Sequence, residues 1–232
     1  MARLSRLYAP GVIQLVQARL ARPLAAVEDP TPAGKFDLLL TWLRTEAATP
    51  DLALHAWVLL HDRFILLATP ANPDTMPRLV QGVGRRMAAG MVHGRVFEGR
   101  YRSALIEAAW LVDCMVWAES LPVHMGVVDT AIQWPWSSAR AHVGMQTPAH
   151  AAGLADHPAY WHLGDTPFAR QARYQECLEA GLSPGRLRLI EQAVQGQWAL
   201  GDVAFLQKLR SEGARRARPA PRGRPRKPTV TN

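Results

Sequence analysis

Arginine is the side chain whose placement in this sequence says most about chemistry. Arg222-Gly223-Arg224-Pro225, followed by Arg226-Lys227, has the form of a minor-groove hook. Gly and Pro favour a narrow, extended backbone, and the flanking guanidiniums suit the enhanced negative potential of an A·T-rich groove. The same residues also read as a plain basic tail that touches phosphates without preference. Nine basic residues fall between Lys208 and Lys227 against the single acidic Glu212, whereas residues 1–207 hold eighteen basic and eighteen acidic groups. The formal charge of +8 therefore belongs to the C-terminal stretch, and attraction to a polyanion is expected to be concentrated there.

Signatures of catalysis are sparse by comparison. No His-x-His pair occurs, and Cys114 and Cys177 stand far apart without metal-ligand spacing, so they read as two reduced thiols. His61 has Arg63 two residues on instead of a second ligand, and reads as a turn histidine. Trp134, Trp136 and Trp198 offer rings on which bases could stack, but tryptophans at segment junctions serve more often as core anchors.

The elements that must position these residues follow from periodicity. Val12–Ala18 after Pro10-Gly11 reads as a first strand, and apolar residues at 36, 39, 40 and 43 give a helix over Lys35–Glu46. Ala53–Leu60 and Phe64–Ala68, broken at His61-Asp62-Arg63, fit a hairpin or one long bulged strand. A second helix is expected over Met76–Met87, a strand region over Arg95–Leu105, and a third helix over Trp110–Glu119 with Leu121-Pro122 as its stop. This order implies an α+β fold, helices on an antiparallel sheet, with the core ending near Gly144. Thr166-Pro167 opens a helix through Glu179, Ser183-Pro184 one through Ala193, and a short helix ends at Leu209. Residues 1–144 are thus expected to form the main domain, 145–210 a helical extension, and 211–232 a disordered basic tail.

With 232 residues, 48% of them hydrophobic, the chain can bury a substantial core. Its longest apolar runs, such as Ala56–Leu60, stop well short of the ~18–20 residues of a membrane span. Met1–Arg6 is basic without an apolar stretch behind it, so no secretory signal is expected, and the cytoplasm is the expected location.

Several segments, taken in order, resemble the REP-associated tyrosine transposases, a branch of the IS200-like HUH family. They are Met1–Arg6 with Pro10-Gly11; Trp57-Val58-Leu59-Leu60; Glu98-Gly99-Arg100-Tyr101-Arg102-Ser103; Trp134-Pro135-Trp136-Ser137-Ser138 with His142-Val143-Gly144; and Trp198-Ala199-Leu200-Gly201. The resemblance implies a ferredoxin-like α+β domain that opens single-stranded DNA beside a hairpin. It also implies a strand with a His-hydrophobic-His pair, both imidazoles on one face and holding Mg or Mn, and a helix-borne tyrosine that attacks the phosphate.

The residues at those positions depart from the pattern. Ungapped matching from Trp57 to Leu60 and from Leu66 to Pro70 puts the two histidines on Arg63 and Ile65, neither of which replaces a neutral imidazole. Pro122, Val123 and Gly126 hold a second register that puts the nucleophile on Trp117 and a neighbouring asparagine on Leu121. The stretch between Gly84-Arg85-Arg86 and Glu98-Gly99-Arg100 is shorter than in the family. The resemblance places Arg85, Arg86, Arg100, Arg102 and Arg140 on the DNA-facing side, although each alone also reads as a solvated surface charge.

The expectation is a DNA-binding, transposase-like protein without cleavage activity or cofactor, whose partner is a hairpin single strand or an A·T-rich duplex. Two rivals stand beside it. One is an active nuclease using Tyr101 with His61 or His93, and the other is a protein-interaction module built on the former site.

Overall fold

A computed structural model of the chain describes residues 6–26, 28–29, 31–91, 94–145, 153–211 and 217. The hook of Arg222–Lys227 and the rival site at His93 lie outside the described residues.

Five strands form one sheet in the order β2-β3-β1-β4-β5. They are β1 (Ile13–Arg19), β2 (Leu52–Leu59), β3 (Arg63–Pro70), β4 (Arg102–Ile106) and β5 (Ala199–Leu200). Helix α1 (Ala33–Ala47) connects β1 to β2, and α2 (Thr75–Gly90) connects β3 to β4. This βαββαβ order with β1 and β3 central is the ferredoxin-like α+β arrangement expected from the sequence. β1 pairs antiparallel with both β3 and β4, and β2 with β3.

Both sheet faces are covered, which explains the near-continuous apolar runs of β2 and β3. On one face, Arg44 of α1 lies over Trp57, and Gly84 of α2 lets Phe97 approach and meet Phe64 edge-on at 6.0 Å. Opposite them, α3 (Leu111–Glu119) packs on β2 and β3, and α8 (Pro184–Gly196) on β4 and β1. Between these two helices come α4 (Leu121–His124), α5 (Ala139–His142), α6 (Pro158–Trp161) and α7 (Pro167–Ala180). Helix α9 (Val203–Ser211) follows β5.

Several expectations need correction. Of the region from Arg95, Arg102–Ile106 is a continuous strand, while Phe97 makes only a single antiparallel bridge to Leu20, with Ala21 N donating to Val96 O at 2.8 Å and Glu98 N to Arg19 O at 3.0 Å. The third helix does end at Glu119, as expected, and Pro122 then sits in the first turn of the separate helix α4, where its missing N–H is harmless. The core does not end near Gly144: Tyr160, Tyr174, Ile190 and Val194 belong to the same buried cluster as the sheet. The sheet is not wholly antiparallel, since β5 joins β4 in parallel. Two residues carry too little pattern to be seen as a strand in advance.

Candidate nucleic-acid interface

One stripe of α2 forms the wall of a cleft. Pro77, Val80, Gln81, Gly84, Arg85 and Ala88 follow the i, i+3, i+4, i+7 spacing of a single helix face. Facing them are Val96, Phe97, Gly99, Arg100 and Tyr101, with Arg6 also in the lining, and the open cleft has a volume of ≈ 670 Å³. Three of the lining side chains are arginines and none is a carboxylate. The Arg6 guanidinium lies 3.4 Å from the centroid of the Tyr101 ring, and its Nε and Nη2 donate to the Tyr101 carbonyl at 3.2 Å. Burial lowers the Arg6 pKa and raises that of the Tyr101 phenol, which leaves Tyr101 protonated and packed rather than activated. The cleft therefore combines apolar walls with three lining arginines, a combination suited to bases and their phosphates.

The arginines singled out in the sequence do not act together. Arg85 and Arg100 line the cleft. Arg86 is one residue further round α2, turned to α1, where its Nε donates to Glu46 Oε1 at 2.7 Å. Arg140 donates to the carbonyls of Ile132 and Gln133 and ties α5 to the preceding 3-10 turn. Arg102 is exposed on the other sheet face, because it pairs with Gln17, which in turn pairs with Ile65. Sequence reasoning missed Arg6 as a cleft residue, although it closes the first motif that carried the resemblance.

Arg63 and Ile65 alternate with Phe64 and so face the layer of α3, the helix that holds Trp117. Ile65 is fully buried, and Trp117 is buried with an indole N–H that finds no acceptor among the described residues. Arg63 Nε donates to Asp62 Oδ1 at 2.8 Å, and Arg19 reaches the same carboxylate at 3.3 Å. Burial works to raise the Asp62 pKa, but the two guanidiniums outweigh it and hold the carboxyl below its usual range. The divalent ion that the resemblance implies does not fit these residues. Ile65 has no donor atom, Arg63 is a permanent cation, and among the described residues no group of three His, Cys, Asp or Glu side chains could hold a metal.

Beside α3 lies a buried polar hub that the sequence did not announce. The Glu119 carboxylate, sealed from solvent, accepts from Ser138 Oγ at 2.6 Å, His142 Nδ1 at 2.7 Å and Tyr174 Oη at 2.7 Å. Tyr160 Oη donates to the His142 carbonyl at 2.6 Å. The Trp134-to-Ser138 motif runs along the outer side of β2: Trp134 Nε1 donates to Leu59 O, Leu59 N to Trp136 O, and Ser138 N to Trp57 O. Trp136 Nε1 reaches Asp37 of α1. These tryptophans are core anchors, and His61 is no free turn histidine, since its ring meets Phe36 edge-on at 5.5 Å.

No protein-family model and no curated protein matches the chain. Among solved structures, the REP-associated tyrosine transposase bound to a REP hairpin is similar with a TM-score of 0.53, over 68% of this chain and 96% of that one, at 16% sequence identity. The fold is transposase-like. Within this transposase-like fold the hub holds α3, α5 and α7 around one carboxylate, while the cleft lies across the sheet beside α2. Among the described residues, no helix is long and apolar enough to cross a membrane.

Proposed function

We propose that the protein binds DNA through the cleft of Arg6, Arg85 and Arg100 and does not cut it. The observation that carries this reading is a cleft with three lining arginines and no lining carboxylate, on a fold shared with a transposase bound to a DNA hairpin. Unpaired bases pack on the apolar wall of Val80, Ala88 and Phe97 while the arginines meet the phosphates. A hairpin with a flanking single strand supplies both and is the DNA form the cleft suits best. The absence of cutting is supported by Arg63, Ile65 and Trp117, which bring neither an imidazole pair nor a phenol to the α3 face.

Fluorescence anisotropy with a labelled hairpin bearing a single-stranded flank tests the reading. Binding is expected to weaken steeply with salt and to fall about tenfold in Arg85→Ala, a loss of ~1.4 kcal/mol. Equal affinity of the wild type and Arg85→Ala for the hairpin would remove the cleft as the binding site.

A further inference from the structure

We infer that a second cavity, in the helix layer across the sheet from the cleft, binds a small organic cation with an ammonium or guanidinium head on a hydrocarbon body. It stands independently of the cleft and of DNA.

Two helical stripes form its walls. Ser120, Val123 and His124 supply one, from the junction of α3 and α4, and Gln175, Leu178 and Glu179 of α7 supply the other, both at i, i+3, i+4 spacing. The turn from Asp129 to Ile132 closes a third side. That turn is pinned by the chain itself, because Gln133 Oε1 accepts from the backbone N–H groups of Asp129 and Thr130 at 3.0 and 3.1 Å. The volume is ≈ 370 Å³, at the small end of ligand pockets and roughly a dozen times the share of one water in the liquid.

Charge and burial decide the occupant. Asp129 and Glu179 line the cavity without any lysine or arginine, the reverse of the DNA cleft, so phosphate is repelled and a cation attracted. Glu179 Oε1 accepts from Gln175 Nε2 at 2.9 Å, whereas the Asp129 carboxylate has no side-chain partner among the described residues. Ser120 gives an independent sign of a ligand. It is 8% exposed, belongs to the lining, and its hydroxyl has no hydrogen-bond partner among the described residues. Buried hydroxyls are normally paired, and an N–H of a seated head group supplies the missing donor. Val123, Ala131, Ile132 and Leu178 add apolar wall that a hydrocarbon body covers and a bare metal ion does not.

Calorimetry on the full chain tests this with probes that share a hexyl body: hexylamine, hexylguanidinium, hexanol and hexanoate. The two cations are expected to bind about tenfold tighter than hexanol, as two partly exposed ion pairs allow, and hexanoate is expected not to bind. The double substitution Asp129→Asn, Glu179→Gln should erase that preference. Both side chains belong to exposed residues, so the melting temperature should hold. Ser120→Ala should weaken the cations by about threefold and leave hexanol as it was. Lysine blocked as its N-acetyl amide separates the sources of the cation. Tighter binding than hexylamine assigns the cavity to a lysine of a partner chain, and weaker binding assigns it to a free amine; both support the site. Hexanol binding as tightly as hexylamine, amine binding unchanged in either variant, or no heat with either cation up to ~10 mM overturns it.

Discussion

Glu119 Oε1 and His142 Nδ1 meet at 2.7 Å, with 0% and 5% of their side chains exposed. Tyr174, Tyr160, Ser138 and the His55 carbonyl close the space around them. Burial alone lowers the His142 pKa, but the charge and hydrogen bond of Glu119 outweigh it, and the folded value is raised. A raised folded pKa gives stability that is complete below the ordinary histidine value of ~6.5 and is lost as pH climbs through the folded one. His55 and His157 are lowered and act in the opposite sense, so the difference between wild type and His142→Gln isolates the pair. Urea unfolding from pH 5.5 to 9 should show the advantage of the wild type shrinking as pH rises. A constant difference across that range would disprove the coupling.

Removing the shared acceptor is the harsher change. Glu119→Ala leaves three buried donors on α5, α7 and the preceding turn without their carboxylate. A loss of ~3–5 kcal/mol is expected, as for other broken buried pairs. Chemical denaturation measures it directly, and a loss under ~1 kcal/mol would show that the hub is not a structural centre.

Incubation with a hairpin-bearing single strand and Mg²⁺ or Mn²⁺ is expected to give neither cleavage nor a covalent adduct. Trp117→Tyr alone should not restore them, because Arg63 and Ile65 still supply no ligand pair. A denaturation-resistant protein–DNA band that disappears in Tyr101→Phe would instead establish the nuclease reading.

Arg85 and Arg140 separate binding from folding. Arg85→Ala should make the slope of log affinity against log salt shallower by ~0.7, the value for one lost contact on a single strand, and leave the melting temperature unchanged. Arg140→Ala should do the reverse, losing its bond to the Ile132 carbonyl at 2.6 Å and about 1–2 kcal/mol of stability with little change in DNA binding. Titrations and melts on the two variants decide between these assignments.

Gly84 controls the cleft from beneath. A Cβ there would come within 2.7 Å of the Phe97 ring, so Gly84→Ala must displace Phe97 from its place beside the cleft. Flank binding should weaken although alanine suits a helix better than glycine. Unchanged binding with raised stability would show that Phe97 takes no part.

What the sequence revealed depended on how far a pattern reached. Strands β1, β2 and β3 and helices α1, α2 and α3 were legible because apolar residues repeat at strand or helix spacing, whereas the ferredoxin-like arrangement was implied by the resemblance. The hub was not, since Glu119 finds Ser138, His142 and Tyr174 at separations of 19, 23 and 55 residues, with no periodicity to link them. Arg140 and Arg86 looked like surface cations until Ile132 and Glu46 were seen beside them. The cleft stripe on α2 was visible as a helix face, but its facing side came from residues 96–101, which were read as strand.

The placement of β5 bears on how the edge of the sheet is covered. Sheets carry exposed rows of amide and carbonyl groups at their outermost strands, and these recruit other chains. Here Ala199 and Leu200 cover β4, while Ser137 bridges to Val58 on the far side of β2. A protein cut before Ala199 would present β4 naked, with Leu105 stripped of Leu206 and Leu209. Strand-to-strand aggregation, rather than simple unfolding, is then the expected fate of such a fragment, so the last turn of chain works as a guard against self-recruitment.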